Sequence, residues 1–101
     1  MTTEVIIEKT TTTDRDIKEP SKCKVLILND DFTPAEFVVV MLMNVFKHDD
    51  KSAMDLTITV HNTGSAVAGV YPYEIAEQKM KDGVDMAREN GFPLQLKIQE
   101  E

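Results

Sequence analysis

Cys23-Lys24-Val25-Leu26-Ile27-Leu28-Asn29-Asp30-Asp31-Phe32-Thr33-Pro34-Ala35-Glu36-Phe37-Val38 is the stretch from which the rest of the chain is read. Cys23 to Leu28 is a short aliphatic and β-branched run, and Asn29-Asp30-Asp31 stops it, so a strand empties into a polar loop. A helix start follows. Thr33 can cap, Pro34 suits the first helical position, Glu36 completes a Thr-x-x-Glu capping box, and Phe32 and Phe37 hold the two positions of a hydrophobic staple. The apolar pairs Phe37/Val38, Met41/Leu42 and Val45/Phe46 then recur every four residues, which makes one buried helix face.

Downstream, Asp50 can cap a helix running through Lys51, Ala53, Met54 and Ile58 to His61, closed by Asn62-Thr63-Gly64. Leu56-Thr57-Ile58-Thr59-Val60 alternates like a strand, but signals at both ends and a length of about three turns favour the helix. Ser65 to Tyr71 reads as a second strand, with Gly69 marking a close backbone approach. Pro72 opens a long helix whose stripe is Ile75, Ala76, Met80, Val84 and Ala87, and Gly83 lets a neighbour pack closely against it. Asn90-Gly91 ends that helix and Pro93 forbids its return. Leu94, Leu96 and Ile98 alternate with Gln95, Lys97 and Gln99 in a last strand. The order predicts a small β-α-α-β-α-β sandwich of the α+β class, a three-stranded antiparallel sheet with three helices on one face.

Upstream, residues 1–21 hold six threonines, five acids, three bases and only one apolar cluster, Val5-Ile6-Ile7. That stretch buries too little to offset its ordering entropy and is expected to be a flexible arm before a core domain at 22–101. The whole chain has 101 residues, which suits one domain. With 11 Lys+Arg against 18 Asp+Glu its net charge is −7, so nucleic acid is a poor partner, since an acidic surface repels phosphates. Cys23 is the single cysteine, which excludes an internal disulfide and a thiolate metal cluster. The first residues show neither the basic flank nor the long apolar stretch expected of a secretion signal, and the longest apolar run, Phe37 to Met43, is far short of a membrane span. A cytoplasmic protein, with no membrane association, is expected.

Three polar positions invite chemistry: Asn29 and Asp30 past the first strand, and His61 near the second helix's end. Asn offers a carbonyl oxygen, Asp a carboxylate and neutral His a ring nitrogen, three acceptors suited to a free ammonium group. On residue type alone, Asn-Asp-Asp is more often a turn bonding its own backbone, and a His in a last turn more often serves the helix dipole. A metal site from Asp30, Asp31, His48, Asp49, Asp50 and His61 lacks any fixed ligand spacing. Hydrolysis by Asp30 and His61 lacks a nucleophile motif, phosphate loop or oxyanion signature. No cofactor, no metal and no catalytic residue is therefore expected.

Lys24 to Val38 resembles the signature segment of the ClpS family, and Val60-His61-Asn62-Thr63-Gly64, Gly69-Val70-Tyr71, Glu74 to Lys79 and Ala87 to Leu94 extend the resemblance in order across residues 22–100. The resemblance implies an adaptor, not an enzyme, and one expected to act as a monomer. It would bind an N-degron, a free bulky hydrophobic N-terminal residue (Phe, Leu, Tyr or Trp), and deliver the substrate to the AAA+ unfoldase ClpA, which feeds the peptidase ClpP. By matching positions, Asn29, Asp30 and His61 would hold the substrate's α-amino group. Val38, Met41, Val60 and Leu94 would line the pocket for its first side chain, with Asp31 and Thr33 at the mouth. Glu74 and Lys79, charges on the exposed side of a helix, would dock on the unfoldase's N-terminal domain, and the arm would engage it during handover.

Two pocket positions depart from the family pattern. Ala35 stands where Met is common at the rim, so weaker affinity or looser discrimination against Ile and Val is expected. Thr57 stands where an apolar residue is usual and should make the floor more polar or shallower. Together they suggest a paralogue with altered N-terminal preference. Since an imidazole that accepts from an ammonium must be neutral, peptide affinity is expected to fall on acidification. The alternatives are a ClpA-binding regulator that diverts the protease from other substrates, and a small Asp/His hydrolase.

Overall fold

In the computed structural model, which describes residues 22–101, strands and helices alternate as expected. They are β1 (Lys22–Leu28), α1 (Ala35–Val45), α2 (Asp50–Thr63), β2 (Ser65–Pro72), α3 (Tyr73–Glu89) and β3 (Gln95–Glu100). The arm expected at 1–21 lies outside the described residues. The three strands form one antiparallel sheet in the order β2-β1-β3. Strand alternation turns Cys23, Val25 and Ile27 of β1 into the core, all three fully buried. There they join Phe37, Val38, Met41, Leu42 and Phe46 of the first helical segment, Ala53 and Val60 of α2, and Ala76 and Ala87 of α3.

Several end signals resolve differently from the sequence reading. The N-cap of α1 is Pro34, and no side chain caps it. Thr33 forms no capping box because the preceding loop takes it. Its N–H and hydroxyl both donate to the Asp30 carboxylate at 2.8 Å, and a charged acceptor outcompetes the helix end. Phe32 forms no staple: its ring is 78% exposed, while Phe37 turns inward onto Phe92, ring centroids 5.0 Å apart. The cap of α2 is Asp49 rather than Asp50, its carboxylate accepting from Ser52 N–H at 2.8 Å. Asp50 instead lies in the first turn, where the helix dipole favours a negative charge. Ile75 is half exposed, because the buried face of α3 runs through Ala76, Gly83 and Ala87 and leaves it to one side.

Cross-links between elements hold the helices on the sheet. A bulge in β2 lies where Val25 pairs with Gly69 and Leu26 with Val67, leaving Ala68 unpaired. The freed carbonyl of Ala68 accepts from His48 Nε2 at 2.6 Å. A side chain at Gly69 would run into the Tyr71 ring, which explains the glycine. Chain reversal after α1 uses Lys47 at φ 62°, the left-handed region, and lets His48 N–H reach the Leu42 carbonyl at 3.2 Å.

Candidate functional site

The exit of β1 and the end of α2 are pinned together by one backbone bond. Asn29 N–H donates to the Gly64 carbonyl at 2.9 Å. Gly64, at φ 96°, is the left-handed cap of α2, and its own N–H donates to Val60 at 2.8 Å. Glycine adopts this geometry without steric cost. The clamp brings His61, in the last turn of α2, beside the Asn29-Asp30-Asp31 loop, and all four line one cavity of about 340 Å3. Thr33 completes its polar side. Ala35 and Val38 of α1 and Thr57 and Val60 of α2 form its other wall. Val38, Thr57 and Val60 are nearly buried, whereas Ala35 is exposed at the rim.

Asp30 is the organising group. Its Oδ1 accepts from the N–H of Phe32 and of Thr33, and its Oδ2 from the Thr33 hydroxyl, each at 2.8 Å. Burial pushes its pKa up, but the Thr33 hydroxyl, the two N–H groups and the Arg88 charge outweigh that and hold it below the ordinary carboxylate value. The carboxylate is thus a fixed negative charge at neutral pH. A carboxylate has about four acceptor positions, so Oδ2 keeps room for a further donor. Asn29, Asp31 and His61 are exposed, and among the described residues no side-chain hydrogen bond engages them. The turn reading and the site reading of Asn-Asp-Asp are therefore compatible: Asp30 bonds the turn, and all three residues line the cavity.

Thr57 is less polar toward the cavity than its composition implies, because its hydroxyl donates to the Ala53 carbonyl of its own helix at 2.7 Å. Met41 and Leu94, expected along the same wall, do not line it. Both are sealed in the core, Met41 with its sulfur against Gly83 of α3, and Leu94 under a backbone that Arg88 holds by the Phe92 and Leu94 carbonyls at 2.8 Å. Helical spacing puts Met41 on the same face as Val38, but the α3 packing claims it first.

Glu74 is exposed in the first turn of α3. Lys79 is not on an open face: it is half-buried, its ammonium donates to the Val45 carbonyl at 2.9 Å, and it lies 5.9 Å from the Tyr71 ring centre. It closes the C-terminal end of α1, where carbonyls lack partners within the helix. The sequence offered no sign of this contact between residues far apart in the chain. Among the described residues, no group of three or more His, Cys, Asp or Glu side chains could hold a metal ion, and no helix is long and apolar enough to cross a membrane.

A three-stranded sheet backed by three helices, with a small cavity that is acidic on one side and apolar on the other, is the form of a recognition module. Comparison with known proteins makes this specific. The family model described as ATP-dependent Clp protease adaptor protein ClpS matches residues 18–97, and the chain belongs to the ClpS family of Clp protease adaptors. It is 43% identical over 84 residues to the ATP-dependent Clp protease adapter protein ClpS of Clostridium acetobutylicum, covering 83% of each chain. It is 45% identical over 84 residues to that of Burkholderia cenocepacia, covering 83% of this chain and 81% of that one. Among solved structures, Agrobacterium tumefaciens ClpS2 bound to L-phenylalaninamide superposes with a TM-score of 0.80 at 42% identity, covering 82% of this chain and all of that one.

Proposed function

We propose that this adaptor captures proteins by a free, bulky hydrophobic N-terminal residue and hands them to the unfoldase ClpA for degradation by ClpP. The carrying observation is that Asn29, Asp30 and His61 share one cavity with Val38 and Val60. In this reading, the polar side accepts the three N–H donors of an α-ammonium group, with the fixed Asp30 charge and the exposed Asp31 supplying the counter-charge. The first side chain enters between Val38 and Val60. Support also comes from the relative that carries L-phenylalaninamide, a free amine on an aromatic residue. Glu74, exposed at the start of α3, is the proposed contact with the unfoldase.

The energies are consistent with reversible capture. Burying one large side chain contributes about 1.5–3 kcal/mol, and each hydrogen bond to a charged group a similar amount. After the costs of association a micromolar or somewhat tighter complex is expected. An acetylated or internal residue brings no ammonium to the open Oδ2 position and the Asp30 charge, so selectivity for a free terminus follows.

Titration of a fluorescent Phe-led peptide tests the proposal. Saturable binding is expected without turnover, with binding lost on acetylation of the amine. Equal binding of the acetylated peptide refutes the site, turnover points to the hydrolase, and ClpA association without peptide binding points to the regulator.

A further inference from the structure

The cavity is not isolated. A second hollow shares Asn29, Asp30 and Asp31 with it and adds Leu28, Phe32, Pro93 and Gln95. A third hollow shares Phe32, Pro93 and Gln95 with the second and runs on to Arg88, Gly91 and Phe92. Together they make a groove that begins at the rim of the amine site and passes over the loop toward the turn between α3 and β3. Phe32 stands where the two outer hollows meet. Its ring is 78% exposed, although the other three phenylalanines, Phe37, Phe46 and Phe92, are all packed on the core. Its backbone is not free, because its N–H is held by Asp30 at 2.8 Å. An aromatic ring is thus presented to solvent from a fixed loop, with a proline ring and an amide side chain beside it.

We infer that this groove seats the second to fourth residues of the captured chain, and that Phe32 selects an apolar side chain among them. The inference rests on the proposed capture of a free N-terminus. A chain anchored by its first residue must leave the cavity past its mouth, and Asn29, Asp30 and Asp31, which line the cavity, also line this groove. Three extended residues span about 10 Å, a length suited to crossing one short loop. The occupant is therefore a continuation of the bound chain. Phe32 and Pro93 offer it apolar surface and Gln95 offers a donor and an acceptor for its peptide groups. Arg88 closes the far end, its guanidinium already held by the Phe92 and Leu94 carbonyls.

The test compares three probes on the full chain and on Phe32→Ala: L-phenylalaninamide, a Phe-Gly-Gly-Gly peptide, and a Phe-led peptide with leucine at positions two to four. On the parent protein the leucine peptide is expected to bind more tightly than the glycine peptide. Phe32→Ala should weaken the leucine peptide about five-fold, the scale of one partly buried aromatic contact, and leave the other two within about two-fold. Pro93→Ala, which lines both outer hollows with Phe32, should act in the same direction, and circular dichroism should show both variants folded. Equal weakening of phenylalaninamide means that Phe32 acts on the loop and overturns the inference, as does an unchanged leucine peptide. Failure of phenylalaninamide to bind the parent protein refutes the amine site itself, a distinct result that takes this inference with it.

Discussion

Replacing Lys79 with Met removes one positive charge and keeps most of the aliphatic stem, so it isolates the ammonium's contribution to the fold. That ammonium donates to the Val45 carbonyl at 2.9 Å and stands 5.9 Å from the Tyr71 ring centre. A hydrogen bond with one charged partner contributes about 1.5–3 kcal/mol. The site is half-buried and water can reach the abandoned carbonyl, which puts the loss in the lower part of that range. The ring contact, near the limit of effective distance, adds at most about 0.5 kcal/mol. The expected destabilisation is about 1–2 kcal/mol in a urea titration followed by circular dichroism. For a domain of this size each kcal/mol lowers Tm by about 4–8 °C. Glu74→Ala is the control, an exposed position expected to stay within about 0.5 kcal/mol. If Lys79→Met unfolds within about 0.3 kcal/mol of the parent, the α1 closure is energetically idle and the reasoning fails. A loss of stability in Lys79→Met also means that any loss of unfoldase binding in it must be read against its folded fraction.

Asp30→Ala frees three donors of the loop and deletes the fixed charge, so Phe-led peptide affinity should fall about 30-fold or more; an unchanged titration curve would reject its role. Because Asp30 titrates below its ordinary value of 3.8 when folded, its stabilising contribution is complete above that value and is lost as pH falls through the lower folded value. Acid unfolding of Asp30→Asn should accordingly be shallower below about pH 4. Ala35→Met adds bulk at the rim and should lower affinity for Ile-led peptides relative to Phe-led ones several-fold; an unaltered ranking of Phe-, Leu- and Ile-led peptides removes Ala35 as a determinant. Lys47→Gly relieves an L-residue at φ 62° and should stabilise the protein by about 0.5–1 kcal/mol, whereas a loss on thermal unfolding would show that the lysine side chain outweighs the strain.

The aliphatic run of β1, the four-residue periodicity of α1, the Gly64 and Gly91 stops and the alternation in β3 were legible because each is a local preference repeated over several residues. The residues of the proposed amine site were legible as a set of acceptors, yet their grouping came from a resemblance and not from spacing. Asp49 or Asp50, Thr33 as cap or as loop donor, and Ile75 in or out of the core differ by one residue or one rotamer. Local chemistry allows both answers there, and packing chooses.

What the chain's own order of residues determined is which segments become strands and helices, and that an acidic loop would follow the first strand. Only the tertiary structure decided that this loop meets His61, that Met41 and Leu94 belong to the core, that Lys79 closes α1, and that Phe32 faces water. The reason is physical: backbone preferences act over a few residues, whereas the Asn29–Gly64 bond, the seat of Met41 on Gly83 and the reach of Lys79 to Val45 join segments whose proximity exists only once the sheet and helices have packed.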